Sequence, residues 1–276
     1  MKWFHFILSH SLFISLCAVA MAFQTLLLLH VRAGIYLYGF IFFATLCSYN
    51  FYWLLCRYSF TDRHPLTVFL RNELFEIVFL TLSLTCLGLC YNSSGLQQVL
   101  VLPAIGFTIL YSLPLLPFRF LRFTRKAGIL KTTLLAFTWT YVTAFLPLNK
   151  FVVQLNNGEW FILTRRFLFM LMLCIIFDSR DMAVDKIRGL HSLATDLSPK
   201  TLRFLTGVIF IILFATNFLF HFFGVSIGET IALQASTIVL LIAYHYSTKK
   251  QGYIFYYFFV DGLMLFSALT TYLASI

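Results

Sequence analysis

The chain has 276 residues, of which 61% are hydrophobic, 19% aromatic and only 11% charged, with a mean hydropathy of +0.89. A soluble domain carries about 25% charged residues, so these proportions exclude a soluble enzyme, a disordered chain and a nucleic-acid module. The net charge of +10, from 20 basic and 10 acidic residues, then fits basic loops held against an anionic membrane surface.

A bilayer core of about 30 Å needs about 20 apolar residues per helix. On that measure nine spans are predicted, over residues 11–31, 34–56, 72–91, 99–118, 129–148, 160–177, 203–223, 227–246 and 253–274. The breaks fall on charges and turn formers, at 57–65, 92–95, 149–158, 199–200 and 249–252. Runs this long exclude the alternating strands of about 10 residues that build a membrane barrel. The expected architecture is all-α: one integral membrane domain over residues 1–276, nine helices around a central cavity that opens to the cytoplasmic side.

Lysine and arginine set the orientation. The N-terminus and the even-numbered loops hold 16 of the 20 basic residues, leaving Arg32, Lys150, Arg165 and Arg166 for the other face. This split places the N-terminus in the cytoplasm and the C-terminus outside, with a bacterial inner membrane as the expected location.

Taken in chain order, Ala18-Val19-Ala20 has the look of a signal cleavage site. The apolar run continues to Leu29, however, and only Lys2 precedes it, so the segment reads as a span. The cysteines (17, 47, 56, 86, 90 and 174) lie in or beside spans without a CxxC pair and read as packing residues. Glu73 and Glu76 open the third span and suit a helix N-terminus; Glu76 is also a candidate cavity carboxylate. Asn92-Ser93-Ser94 fits a glycosylation sequon on the outer face. Arg165 and Arg166 near the outer end of the sixth span are expected to snorkel outward. Gly224 and Gly228 fall in a loop, where a helix-dimer reading is weak, and His245 sits among interfacial tyrosines. Asp261 lies about 13 Å into the ninth span at 1.5 Å per residue, where an acid must be paired, neutral or functional; it is expected to line the cavity.

Three of the ten acids fall just after the sixth span, in Asp178-Ser-Arg180-Asp181-Met-Ala-Val-Asp185. Continued as helix, they stand at i, i+3 and i+7 and share one face. Like charges so spaced call for a cation among them, and carboxylates at the mouth of a bundle suit Mg²⁺, which takes one or two of them together with phosphate oxygens. The plain alternative is a solvated helix on which the aspartates pair with Arg180, Lys186 and Arg188.

The pattern D-x-x-D-x-x-x-D-x-x-x-G-x-x-[ST]-L, matched by Asp178, Asp181, Asp185, Gly189, Ser192 and Leu193, resembles the second aspartate motif of the UbiA family of intramembrane prenyltransferases. Tyr111-Ser-Leu-Pro114-Leu-Leu-Pro117-Phe-Arg119, followed by Arg122 and Lys131, is more loosely similar to that family's Tyr-Ser-Pro segment between spans four and five. The resemblance implies that Asp181 and Asp185 bind Mg²⁺ with Asp178 in support. It also implies that basic residues of the fourth loop reach the diphosphate of a polyprenyl donor, with Tyr111 lining the cavity. The partners so implied are a polyprenyl diphosphate, a lipophilic acceptor and membrane lipid, with no nucleic acid.

The family's first motif, N-D-x-x-D-x-x-x-D, is degenerate here. Asn50 survives, but the aspartate positions read Phe51, Leu54 and Tyr58. Arg57 lies at i+7 from Asn50, and a guanidinium grips phosphate oxygens bidentately. Asn50 and Arg57 are therefore expected to oppose Asp181 and Asp185 across one pocket, with Arg119, Arg122, Lys131 and Arg188 as further diphosphate grips. The alternative is an inactive relative that binds an isoprenoid or quinone lipid. A transporter is disfavoured, because only Asp261 reaches mid-depth without a counterpart in the other half.

Overall fold

The computed structural model describes residues 2–60, 73–112, 128–188 and 191–276, and within them the chain is helical with no strand. The helices are α1 (Lys2–Ser9), α2 (Leu12–Leu28), α3 (Ile35–Phe60), α4 (Leu74–Ser94), α5 (Gln98–Ser112), α6 (Gly128–Thr140), α7 (Asn157–Arg188), α8 (Leu193–Asp196), α9 (Pro199–Leu219), α10 (Ile227–Ser247) and α11 (Asp261–Ser275). Among the described residues seven helical stretches are long and apolar enough to cross a membrane, or eight when the bent pair of α1 and α2 counts as one. The expected fourth span appears as α5, a largely apolar helix of 15 residues that ends where the described residues stop. The remaining spans stand close to their expected places.

Two departures from a plain span pattern shape the bundle. The first is α1, which the expected spans leave out; it meets α2 at 64°. Ser11 makes the corner with a φ of 62°, in the left-handed region that few L-residues adopt. Trp3 stands exposed on α1 while Leu8 is buried, the two-faced pattern of a helix lying in a membrane interface. The second is α7, which runs past the expected end at residue 177 and carries all three ladder acids as helix. Residues 169–176 of α7 are buried on every side, so this helix is wrapped by protein rather than by lipid.

Chain order is largely packing order. α3 packs on α2 and α4, α6 on α7, α7 on α9 and α10, α10 on α11, and α11 returns to α2. Beyond α6 the backbone widens into a π-turn over Tyr141–Phe145 and tightens into a 3₁₀ turn over Leu146–Leu148, where Pro147 ends the helical hydrogen bonding.

Arg165 and Arg166 do not snorkel. They lie about 12 Å from the start of α7 at 1.5 Å per residue, with only 2% and 1% of their surfaces exposed. Arg166 Nη2 donates to Met21 O at 2.8 Å, Thr25 Oγ1 at 2.9 Å and Gln24 Oε1 at 3.2 Å. Gln24 Nε2 in turn donates to Ser267 O at 2.9 Å and Thr271 Oγ1 at 2.8 Å. Arg165 Nε donates to Asn217 Oδ1 at 2.7 Å, and Asn217 Nδ2 reaches Thr237 Oγ1 at 2.9 Å. Among the described residues no carboxylate pairs with either arginine. Neutral amides, hydroxyls and a carbonyl hold the two charges, and in doing so tie α7 to α2, α9, α10 and α11. Outward snorkelling needs open surface beside the helix, and here four helices occupy it.

Gln24→Leu is expected to lower stability by about 1–3 kcal/mol, because it strips an acceptor from a buried guanidinium and a donor from α11. Arg166→Met, which removes the charge together with its bonds, is expected to be tolerated better. Thermal midpoints of the two detergent-purified variants decide, and a Gln24→Leu protein as stable as the parent contradicts the network's role.

Candidate active site

The last turns of α7 form one wall of a cavity of about 940 Å³ that is lined by residues of α1 to α7 and of the start of α11 with the segment leading into it. Most of its surface is apolar, supplied by residues such as Phe40, Leu87, Val101, Leu135 and Leu173. The polar exception is concentrated where Asp178, Asp181 and Asp185 of α7 meet Lys131 of α6, with Tyr52 and Tyr111 beside them. The cavity therefore combines a charged end with a long greasy body, the shape of an amphiphile with an ionic head.

Each acid has a distinct setting. The Asp178 carboxylate accepts from the Thr132 hydroxyl, and Thr132 Oγ1 accepts from Leu193 N at 3.1 Å. This chain of bonds joins α7, α6 and α8 beneath the site. Gly128, at the start of α6, makes the approach possible, since a Cβ there would lie 2.7 Å from Ser192 N and 2.3 Å from Asp196 Oδ2. Asp185 is buried, and it, Asp178 and Asp181 all interact electrostatically with the Lys131 ammonium. Asp181 is 43% exposed and is gripped through both oxygens by Arg180, Nε to Oδ1 at 2.6 Å and Nη2 to Oδ2 at 2.7 Å. The Arg180 guanidinium lies over the rings of Phe177, Tyr256 and Tyr257, 4.9, 5.1 and 4.9 Å from their centroids.

Tyr111 and Asp261 lie on the wall of this cavity. Tyr111 stacks on Tyr52 with ring centroids 5.3 Å apart. Asp261 is buried at the end of the π-turn Phe255–Val260 and feels the charge of Arg180.

Asn50, Arg57 and Glu76 stand elsewhere. Asn50 is buried, and its Nδ2 donates to Leu46 O at 2.8 Å and His10 O at 3.3 Å, so it braces the corner between α1 and α2. Arg57 is 47% exposed and pairs with Glu73, with Glu76 at 3.8 Å; Glu76 also lies 3.5 Å from His10. The reason is helical phase. Tyr49, Tyr52, Trp53 and Cys56 turn the cavity-facing stripe of α3 inward, and Asn50 and Arg57 follow the first and last of these by one residue, rotated by about 100° toward α1 and α4. Arg119 and Arg122 lie outside the described residues, as does Gly189, and so does the side chain of Arg188.

The chemistry of the donor set fits a hard cation held in part by substrate. Asp181 and Asp185, one turn apart, offer two carboxylates, and no group of three His, Cys, Asp or Glu among the described residues forms a metal site by itself. Mg²⁺ is commonly held in this way, by one or two carboxylates with phosphate oxygens completing its shell.

Arg180 and its aromatic surround are the site features that sequence reasoning missed as functional. The available signal was a phenylalanine one turn before an arginine, itself set between two acids; the Tyr256–Tyr257 pair comes from a distant helix and leaves no local trace.

No protein-family model matches the chain, and no curated protein sequence matches it. Solved structures do. The apo structure of a UbiA homologue from Aeropyrum pernix K1 superposes with a TM-score of 0.66 at 12% identity, over 95% of this chain and 97% of that one. A structure described as digeranylgeranylglyceryl phosphate synthase in membranes gives a TM-score of 0.56 at 14% identity, over 94% of this chain and 93% of that one.

Replacing Arg57 by Ala is expected to change stability by only about 0–1 kcal/mol, the range for solvent-exposed pairs. Thermal midpoints of the purified variant check this, and a loss of several kcal/mol would contradict the placement of Arg57 beside Glu73 at the surface. The chain is an integral membrane protein with the fold of the UbiA homologues across nearly its whole length.

Proposed function

We propose that this protein is a UbiA-family prenyltransferase that moves a polyprenyl group from its diphosphate to an aromatic or other lipophilic acceptor, with Mg²⁺. The observation that carries the reading is the cavity itself: an apolar chamber of about 940 Å³ whose charged end gathers Asp178, Asp181, Asp185 and Lys131, inside a fold shared with a UbiA homologue.

Asp181 and Asp185 would hold the metal, and Asp178, tied to Thr132, keeps the ladder in place. When bound, Mg²⁺ neutralises the diphosphate and makes it a better leaving group. Lys131 binds the same head group and offsets its charge. In the reaction the allylic C–O bond breaks, its electron pair leaves with the diphosphate, and the allylic carbon is attacked by a nucleophilic atom of the acceptor, which then loses a proton. The apolar walls hold the isoprenoid tail and keep water away from the cationic carbon. Trp139 and Tyr49, which pack edge to face at 6.1 Å on the cavity wall, present π-electrons to that carbon.

One observation favours a second reading, that of an isoprenoid- or quinone-binding relative without chemistry. α3 brings no carboxylate to the cavity, since its first-motif positions are Phe51, Leu54 and Tyr58 and Arg57 turns to Glu73.

Purified protein with Mg²⁺, a set of allylic diphosphates from C10 to C20 and a lipid extract of its host membrane as the source of acceptor is expected to release pyrophosphate, and Asp185→Asn to reduce that release at least a hundredfold, about 2.7 kcal/mol of barrier. Binding of the same donors without release by the parent protein selects the second reading.

The orientation that accompanies this reading puts the N-terminus and the charged end of the cavity in the cytoplasm, supported by the distribution of basic residues. A reporter active only outside the cytoplasm, fused after Ile276, is expected to be active, and the same reporter fused ahead of residue 2 inactive. The reverse pattern contradicts this orientation.

A further inference from the structure

The charged end of the cavity has an internal balance that α3 leaves unaltered. Two cations, Lys131 and Arg180, stand among three carboxylates, with Asp261 on the α11 side. Among the described residues, the wall that a diphosphate arriving alone meets is negative overall. A divalent cation arriving alone finds Asp181 bound through both oxygens to a guanidinium, and like charges this close repel strongly.

Arg180 is also built to outlast its partner. Three aromatic faces hold the guanidinium from Phe177 on its own helix and from Tyr256 and Tyr257 on the π-turn, each a favourable site for a cation. Its Nη1 is buried and, among the described residues, without a hydrogen-bond partner. The planar fork that matches a carboxylate matches a phosphate equally well.

We infer that Arg180 is an exchangeable counter-ion: it closes on Asp181 until a diphosphate enters, then turns its fork to the diphosphate and frees the Asp181 carboxylate for the metal. The caging rings keep the guanidinium at the cavity wall while its anion changes. Metal and diphosphate uptake are thereby coupled, and Arg180 supplies the positive charge that the carboxylate-free α3 cannot recruit through a second metal. This inference rests on the diphosphate-binding reading above and assigns its regulation to a residue that the aspartate pattern itself leaves unspecified.

The test uses the full chain in detergent or nanodiscs, with binding rather than turnover as the readout. Mg²⁺ alone, farnesyl thiolodiphosphate alone in EDTA, and the preformed metal–thiolodiphosphate complex are titrated by calorimetry and by thermal midpoint. Each component alone is expected to bind weakly and the complex at least tenfold more tightly, a coupling that must be reciprocal. Arg180→Met is expected to bind Mg²⁺ alone more tightly than the parent and to lose most of the coupling, with Arg180→Lys, charged but without the fork, in between. Parent protein that binds Mg²⁺ alone as tightly as it does with the diphosphate overturns the role of Arg180 and leaves the prenyltransferase reading standing. Failure of the diphosphate to bind in any combination instead overturns that reading. Should Arg180→Met not fold, the coupling measured on the parent protein decides by itself.

Discussion

A charged side chain inside a lipid-surrounded bundle must find its partners in the protein, because the hydrocarbon around it offers none. α7 meets that demand at both ends of one continuous helix. Toward its start, Arg165 and Arg166 are held by amides, hydroxyls and a carbonyl from α2 and α9. Toward its end, the three acids are met by Thr132, Lys131 and Arg180. Between these lie residues 169–176, apolar and buried all round. The packing of the other helices follows, since each must bring α7 either an apolar surface or a polar partner.

The two ends solve the demand differently. The arginine end is sealed from the cavity: its acceptors are neutral, its contacts join five helices, and Arg165 Nη2 with Arg166 Nε and Nη1 stay buried without a hydrogen-bond partner among the described residues. The acid end is open to the cavity, and its partners are a lysine, a hydroxyl and a guanidinium that offset the charge of the three carboxylates. A closed network fixes geometry; an open one is poised to exchange partners with a ligand that brings comparable charge.

The long apolar runs were legible in the sequence because bilayer thickness sets their length, and so was the shared face of Asp178, Asp181 and Asp185, which depends only on helical spacing. What local spacing does not carry is the rotation of one helix against the next. Asn50 and Arg57 share a face of α3, as expected, but that face turns toward α1 and α4, where His10 O and Glu73 are waiting. The burial of Arg165 and Arg166 was hidden for the same reason, since Gln24 and Asn217 lie far away in sequence. The corner at Ser11 left no signal beyond its polarity.

The absence of carboxylates from α3 and the cage around Arg180 bear on one another. A site with acids on two helices carries more negative charge than one with acids on a single helix. On the α3 side the cavity is lined instead by Tyr52, with Tyr111 of α5 stacked on it. Asp178, Asp181 and Asp185 all belong to α7, with Asp261 of α11 facing the same cavity, and the aromatic support for the adjacent cation comes from the π-turn ahead of α11. A π-turn inserts an extra residue into the helical repeat and displaces the side chains beyond it around the axis. In this chain Tyr256 and Tyr257 lie within the π-turn and cover Arg180, and Asp261, the first residue beyond it, faces the same cavity. The irregularity in the last span thus belongs to the charged end as much as the aspartate ladder does.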